Sequence, residues 1–565
     1  MFAIPASRRP LFLGLLGSVA LILLLHNVYT PRASLIPFIS RPIRPFDPDD
    51  GQPTNLPLGL ETEDYRVRDR VERMRGFCEA EDPFEREYGR TNLRLTRAYE
   101  GSHQRLRQLL HKALRGEALT ISAIGGSVTK GHQVWVNEIW FRKFWEWFTD
   151  YVGSDVQVTE VNGAAPATGS DYFSFCFPLH IPTDSDLIFV ELAVNDEGIL
   201  EHVENMENLL RGLLDLPHKP AVILMEAMAF SNGGMGGGGG RMHLPVAQYY
   251  DVPVINQRHP LANHFARYPQ LVRPYFAQDW WGNPDMRHIN SRGHRDLGML
   301  AASLVKDAAC SMLSEPDFHV PPPLDQHEEA RRMALIMGNT PADSAKEGEG
   351  SVRTAEQARE EDDLLQEAQY HWPEQSHAWR KNPAEGEEIG ELMPGMWTTP
   401  VEYGLMPRIR VLNGWNPNLD FVVPPFHPTC LSTRAKEPQF NLTPSANQDW
   451  EYWVHPEHLD KPYLVARVPG ARVSFELETS VGLVKMYSLR SKTFGLGSVK
   501  CWADDEVDKS VRVDGWWDNG DANIGRFASI RDDLPPGLHT ITCELLEDTK
   551  DPDGGHEFRM ISMMR

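Results

Sequence analysis

Between residues 119 and 255, short apolar runs alternate with longer amphipathic stretches. The short runs, at 119–124, 156–161, 187–194, 221–225 and 252–255, are rich in β-branched side chains and read as strands. Helical spacing fits 134–152, 205–214 and 244–250 between them, and 291–313 after them. Ahead of the first strand, Leu106, Leu109, Leu110, Ala113 and Leu114 share one helical face, with Gly116 as a stop. Such alternation predicts an α/β fold: a parallel sheet covered on both faces by helices, with functional residues on loops at the carboxyl ends of its strands.

Beyond about residue 408 the period shortens to two. Val473, Phe475 and Leu477 alternate with Arg472, Ser474, Glu476 and Glu478; Ile541, Cys543 and Leu545 alternate with Thr540, Thr542 and Glu544. Short strands separated by turn residues predict an all-β sandwich over 400–565, jelly-roll-like in form. The chain then divides into 1–30, a cytoplasmic tip and signal-anchor helix; 31–90, a stalk and lead-in; 91–320, the α/β domain; 321–399, a charged linker; and 400–565, the sandwich. A solvated helix near 354–369 fits within the linker. The glycine run 233–240 does not open a helix and has no Lys-Ser/Thr ending, so it reads as a surface loop and not a phosphate cradle.

The first thirty residues set the topology. Arg8 and Arg9 precede an uncharged run from Leu11 to Leu25, about long enough to cross a bilayer, and they favour a cytoplasmic N-terminus. The expectation is a single-pass type II membrane protein with everything beyond residue 30 lumenal or extracellular, in the secretory pathway (Golgi) or at the cell surface. The length of 565 residues needs more than one core. A net charge of −23 argues against nucleic-acid binding, which needs clustered Lys and Arg. None of the six cysteines has metal-site spacing. Cys501 and Cys543, on neighbouring strand-like runs, are the pair offered as a disulfide, while Cys176 and Cys310 fit buried thiols equally well. Asn441-Leu442-Thr443 is a glycosylation sequon.

Four separated segments carry the chemistry: Gly125-Gly126-Ser127-Val128-Thr129-Lys130-Gly131, Asn162-Gly163-Ala164-Ala165-Pro166-Ala167-Thr168-Gly169, Glu191-Leu192-Ala193-Val194-Asn195-Asp196, and Asp285-Met286-Arg287-His288. Each follows a strand-like run or precedes a helix-like one. The set resembles the SGNH (GDSL-like) hydrolase superfamily over roughly residues 115–313. Gly126 replaces the usual Asp of the first block and Ala193 the usual Gly of the third, while Asp285, His288, Asn290, Gly293 and His294 meet the last. The resemblance implies a flavodoxin-like three-layer sheet, a serine nucleophile at Ser127, a base at His288 oriented by Asp285, and an oxyanion hole from Ser127, Ala167 and Asn195. Gly163 and Gly169 remain alternatives to Ala167. It implies no metal and no cofactor.

A serine hydroxyl is unreactive at neutral pH unless a base takes its proton, and carboxylate-held imidazole supplies that base. Trp280 and Trp281, just before the Asp-x-x-His, either wall a sugar pocket or pack beneath the loop. His132 and His243 read as structural, and Asp196 as shaping its turn. The chain also resembles fungal membrane-anchored proteins with this domain pair, some capsule- or wall-associated. The leading expectation is an O-acyl esterase acting on an acylated polysaccharide or glycan. An O-acyltransferase using the same residues and a non-catalytic carbohydrate-binding protein are the alternatives.

Overall fold

The computed structural model describes residues 58–231, 237–323, 411, 428–456, 458–518 and 523–565. The apolar run 11–25, nearly all of the linker and residues 233–236 of the glycine run lie outside them. The strand-like runs pair as expected. A short strand, β1 (Arg97–Tyr99), edges a sheet that continues with β2 (Leu119–Gly125), β3 (Val158–Asn162), β4 (Leu187–Glu191), β5 (Ala221–Glu226) and β6 (Val254–Asn256). Their spatial order is β1-β6-β5-β4-β2-β3. All neighbours are parallel except β1, which runs antiparallel to β6. Without β1 this is the flavodoxin-like order, with its switch point between β2 and β4, where ligands of open α/β sheets bind.

Helices cover both faces because β4 is apolar on both. Leu187 and Phe189 join one core with α1 (Leu58–Glu79), α2 (Gln104–Arg115), α4 (Trp140–Val152) and α8 (Ser291–Leu313). Ile188 and Val190 join the other with α5 (Ser170–Cys176), α6 (Leu200–Leu214) and α7 (Gly239–Tyr249). The single helical turn α3 (Ser127–Lys130) follows β2 directly. Gly116 caps α2 at φ 80°, the left-handed stop its sequence position suggests.

Residues 61–565 form one compact unit. Its second half is the sandwich, built of a five-stranded and a six-stranded antiparallel sheet. In the five-stranded sheet, β13 (Arg472–Thr479) and β18 (Gly537–Leu545) bury Val473, Phe475, Leu477, Ile541, Cys543 and Leu545 and leave the alternating polar residues half-buried or exposed. The central strands of the six-stranded sheet show no such alternation, because they are covered on both faces. Phe558, Met560 and Met563 of β19 (Phe558–Met564) face the sandwich core, while Ile561 and Met564 pack into the core shared with α5 and α6.

Three disulfides use all six cysteines: Cys78–Cys310, Cys176–Cys430 and Cys501–Cys543. The last joins directly opposed residues of β15 (Ser498–Ala503) and β18. The first ties α1 to α8, and the second fastens the end of α5 to the sandwich, so Cys176 and Cys310 are not free thiols.

Candidate active site

Ser127 opens α3 at the carboxyl end of β2, and Asn195 follows β4 across the switch point. The Asp-x-x-His lies on β8 (Pro284–Ile289), which forms a hairpin with β7 (Phe276–Gln278). Its chain turns at Met286, whose φ is 63° and whose carbonyl accepts the amide of Phe230 at 2.8 Å. Asp285 Oδ1 accepts the amides of Arg287 and His288 at 3.0 and 3.1 Å, fixing the carboxylate within its own loop. Its other oxygen, Oδ2, lies 2.8 Å from His288 Nδ1, so that nitrogen donates and Nε2 is left as the acceptor. Ser127 Oγ stands 2.7 Å from His288 Nε2. The three candidate residues thus form one chain of hydrogen bonds.

Burial lowers the His288 pKa by more than Asp285 raises it, with His132 adding to the lowering, so the imidazole is neutral at neutral pH. Burial opposes the Asp285 charge, but the hydrogen bond and charge of His288, together with the backbone amides of Arg287 and His288, hold the carboxyl below its ordinary range. A neutral imidazole backed by an ionised carboxylate is the state a general base requires.

The other blocks are locked to the first. Asn162 Nδ2 donates to Thr129 O at 2.9 Å, and the Thr129 hydroxyl donates to Glu191 Oε2 at 2.9 Å. Burial drives the Glu191 pKa up to about 8, so this carboxyl is protonated at neutral pH. Asp196 Oδ1 accepts the Ser170 amide at 2.8 Å, while its Oδ2 lies 2.7 Å from His243 Nε2. Burial opposes ionisation of Asp196, but His202 and His243 hold it well below the usual carboxylate range. His243 is structural, as expected; Asp196 does more than shape a turn.

Gly126 has a spatial reason. A side chain there would collide with Asn195 Oδ1, so the absent Asp makes room for Asn195 against the nucleophile turn. In the second block the Gly163 amide is already spent on Ala123 O at 2.8 Å. Ala167 adopts a left-handed φ of 60°. Among the described residues, neither its amide nor that of Ser127 or Gly169 has a protein acceptor, and Asn195 Nδ2 is likewise uncommitted.

Trp280 and Trp281 are 95% and 81% exposed, so they do not pack beneath the loop. Asp279 braces their turn, accepting the amides of Trp281 and Asn283 at 3.0 and 2.7 Å. Trp135 escaped the sequence reading, which treats His132 only as structural. Trp135, a few residues after the nucleophile turn, is also exposed, at 78%. His132 stacks against His288, with ring centroids 4.3 Å apart; its place one residue after the Gly131 that closes the first block was the available signal. His294 is buried, accepts the Trp140 amide at 3.2 Å, and is pushed by burial down to about 3.

No family model matches the chain. Its fold is similar to that of a two-domain esterase (CEX) active on acetylated mannans, solved alone and with mannopentaose. The two structures cover 84% of this chain and 97% of that one, at TM-scores of 0.55 and 0.54 and sequence identities of 15% and 16%. Both domains are therefore matched in one arrangement: an α/β domain followed by a β-sandwich. A shorter segment is 30% identical over 164 residues to an A type blood alpha-D-galactosamine galactosaminidase of Flavonifractor plautii; that match covers 27% of this chain and 14% of the relative's length.

Proposed function

We propose that the protein is a serine O-acyl esterase that deacylates, and most simply deacetylates, a polysaccharide or glycan. The observation that carries this reading is the unbroken chain from Ser127 Oγ through His288 to Asp285, at 2.7 and 2.8 Å. Ser127 Oγ attacks the acyl carbonyl and gives its proton to His288 Nε2. Asp285 holds Nδ1–H and stabilises the imidazolium. The oxyanion is met by the amides of Ser127 and Ala167 and by Asn195 Nδ2. His288 then passes the proton to the departing sugar oxygen, leaving an acyl-serine. Water attacks next, surrendering a proton to the same nitrogen, and the acid is released. This route needs no metal or organic cofactor.

The substrate class rests on the two-domain likeness to an esterase active on acetylated mannans and on the exposed tryptophans, whose faces suit sugar rings. The N-terminal apolar run is read as a signal anchor placing this site in the secretory lumen or outside the cell. Three disulfides and an exposed Asn441 support that side. Among the described residues no helix is long and apolar enough to cross a membrane.

The test is hydrolysis of p-nitrophenyl acetate and of an acetylated polysaccharide by wild type, Ser127→Ala and His288→Ala. Both variants should lose at least about a thousandfold in kcat. Acetate should appear free in water. Acetyl groups moving onto an added glycan without free acetate would replace the hydrolase with a transferase. Unchanged activity in Ser127→Ala would remove the nucleophile.

A further inference from the structure

His132 brings a second imidazole to the His288–Asp285 pair. A ring nitrogen of each histidine and a carboxylate oxygen of Asp285 lie within 4.8 Å of one another. Among the described residues no other group of His, Cys, Asp and Glu is found so placed for a metal ion. The His132 backbone is fixed, its amide donating to Ser127 O at 3.0 Å. Its exposed side chain meets the Gln133 amide at 3.2 Å and lies tilted against the His288 ring. Two imidazoles and one carboxylate with an open side are a donor set suited to zinc and similar borderline divalent ions; magnesium and calcium prefer all-oxygen shells.

We propose that His132, His288 and Asp285 form a regulatory site for a divalent transition-metal ion, Zn²⁺ being the probe, and that its occupation switches the catalytic serine off. The proposal rests on the esterase reading above. The ion binds His288 through Nδ1, which already lies 2.8 Å from Asp285 Oδ2. The Asp285 carboxylate is the second ligand, and a rotation of the His132 side chain supplies the third. Imidazole binds metals in its neutral form, so the proton formerly on Nδ1 moves through solvent to Nε2 and none is lost. That relocation is the inhibitory event. Nε2–H now donates to Ser127 Oγ and cannot take its proton, and Asp285 no longer supports an imidazolium.

The experiment has two arms on the full chain. In the first, Zn²⁺ is titrated against p-nitrophenyl acetate hydrolysis by wild type and His132→Ala. Wild type should be inhibited and restored by EDTA, with Mg²⁺ inert. Measured against its own zinc-free rate, His132→Ala should need at least about tenfold more zinc for the same inhibition, since losing even supporting groups around a metal costs about 10–100-fold in affinity. In the second, calorimetry measures zinc binding to Ser127→Ala, with and without His132→Ala. One zinc should bind, weakened at least about tenfold by the second change. Equal zinc sensitivity in wild type and His132→Ala, or no heat of binding to Ser127→Ala, would overturn the metal site. Zinc binding that depends on His132 in a protein without esterase activity would support the metal site and sink the esterase reading instead.

Discussion

Asp196 Oδ1 accepts the amide of Ser170 at 2.8 Å, so a single buried carboxylate joins the turn carrying Asn195 to the loop carrying Ala167. Two donors of the proposed oxyanion hole are thereby set relative to each other by one group. That group is in turn held by His243 at 2.7 Å and His202 at 3.2 Å. There is no room for a looser arrangement: a side chain at Gly169 would collide with the same Asp196 oxygen. Asp196→Asn keeps the shape but loses the charge that both histidines meet. It should lower kcat by about 10–100-fold, by analogy with orienting groups at other sites, and leave KM for a small ester little changed. Steady-state kinetics beside a circular-dichroism control checks this; a fall in activity matched by unfolding would make Asp196 merely structural.

Asn195 and Gly126 should behave as one unit. Asn195→Ala removes a side-chain donor to the oxyanion and should cost about 10²–10³ in kcat. Gly126→Ala leaves every donor in place but drives a methyl into Asn195 Oδ1, so it should approach the same loss. In the double variant the collision is gone, and the two effects should fall well short of adding. Full additivity in a double-mutant cycle would mean that Gly126 acts for some other reason.

The candidate triad was legible because each of its residues sits in a short local motif at a strand end, where an α/β sheet presents its chemistry. Asp285 and His288 needed only three residues of chain, turned at Met286, to meet. The second-block donor was not legible. Ala167, Gly163 and Gly169 all stay open in sequence, and the pairing of Gly163 N–H with Ala123 O removes only one of them. Nor could spacing reveal that Cys78 meets Cys310 or Cys176 meets Cys430, across 232 and 254 residues. The sandwich was readable where one face meets water, as in β13 and β18. It was blurred in β19, whose seven residues are all buried because the α/β domain covers the sheet's outer face.

Glu191 gives a pH-dependent prediction. Its carboxyl is buried, with Oε1 unpaired, and its pKa stands at about 8 against 4.5 for an ordinary glutamate. Between those values the folded chain holds a proton that the unfolded chain has released. Stability therefore declines as pH rises from about 4.5 and levels off above about 8. At pH 7 the cost is on the order of 3 kcal/mol. Glu191→Gln retains an amide where the protonated acid stood and removes this slope. The variant should melt higher than wild type at pH 7–8 and about equally near pH 4.5. Thermal melts across that range decide it, and parallel wild-type and variant curves would show that Glu191 is ionised in the fold.

The tryptophan hairpin should separate polymer from small ester. Trp280 and Trp281 stand almost fully in water, yet their turn is braced. Asp279 accepts from Trp281 and Asn283, and Arg273 Nε donates to Gly282 O at 2.8 Å. The strand that follows carries Asp285 and His288, so the indoles are presented from the element that holds the proposed base. A rigid exposed aromatic loses little conformational freedom when a sugar ring stacks on it. Each such contact contributes about 0.5–1.5 kcal/mol, or about twofold to tenfold in affinity. Trp280→Ala and Trp281→Ala should therefore each raise KM for an acetylated polysaccharide by that factor, with kcat nearly unchanged. Hydrolysis of p-nitrophenyl acetate, which has no sugar ring to stack on the indoles, should be unaffected. If both substrates lose activity equally, the hairpin is acting through Asp285 and His288; if neither does, the sugar chain lies elsewhere.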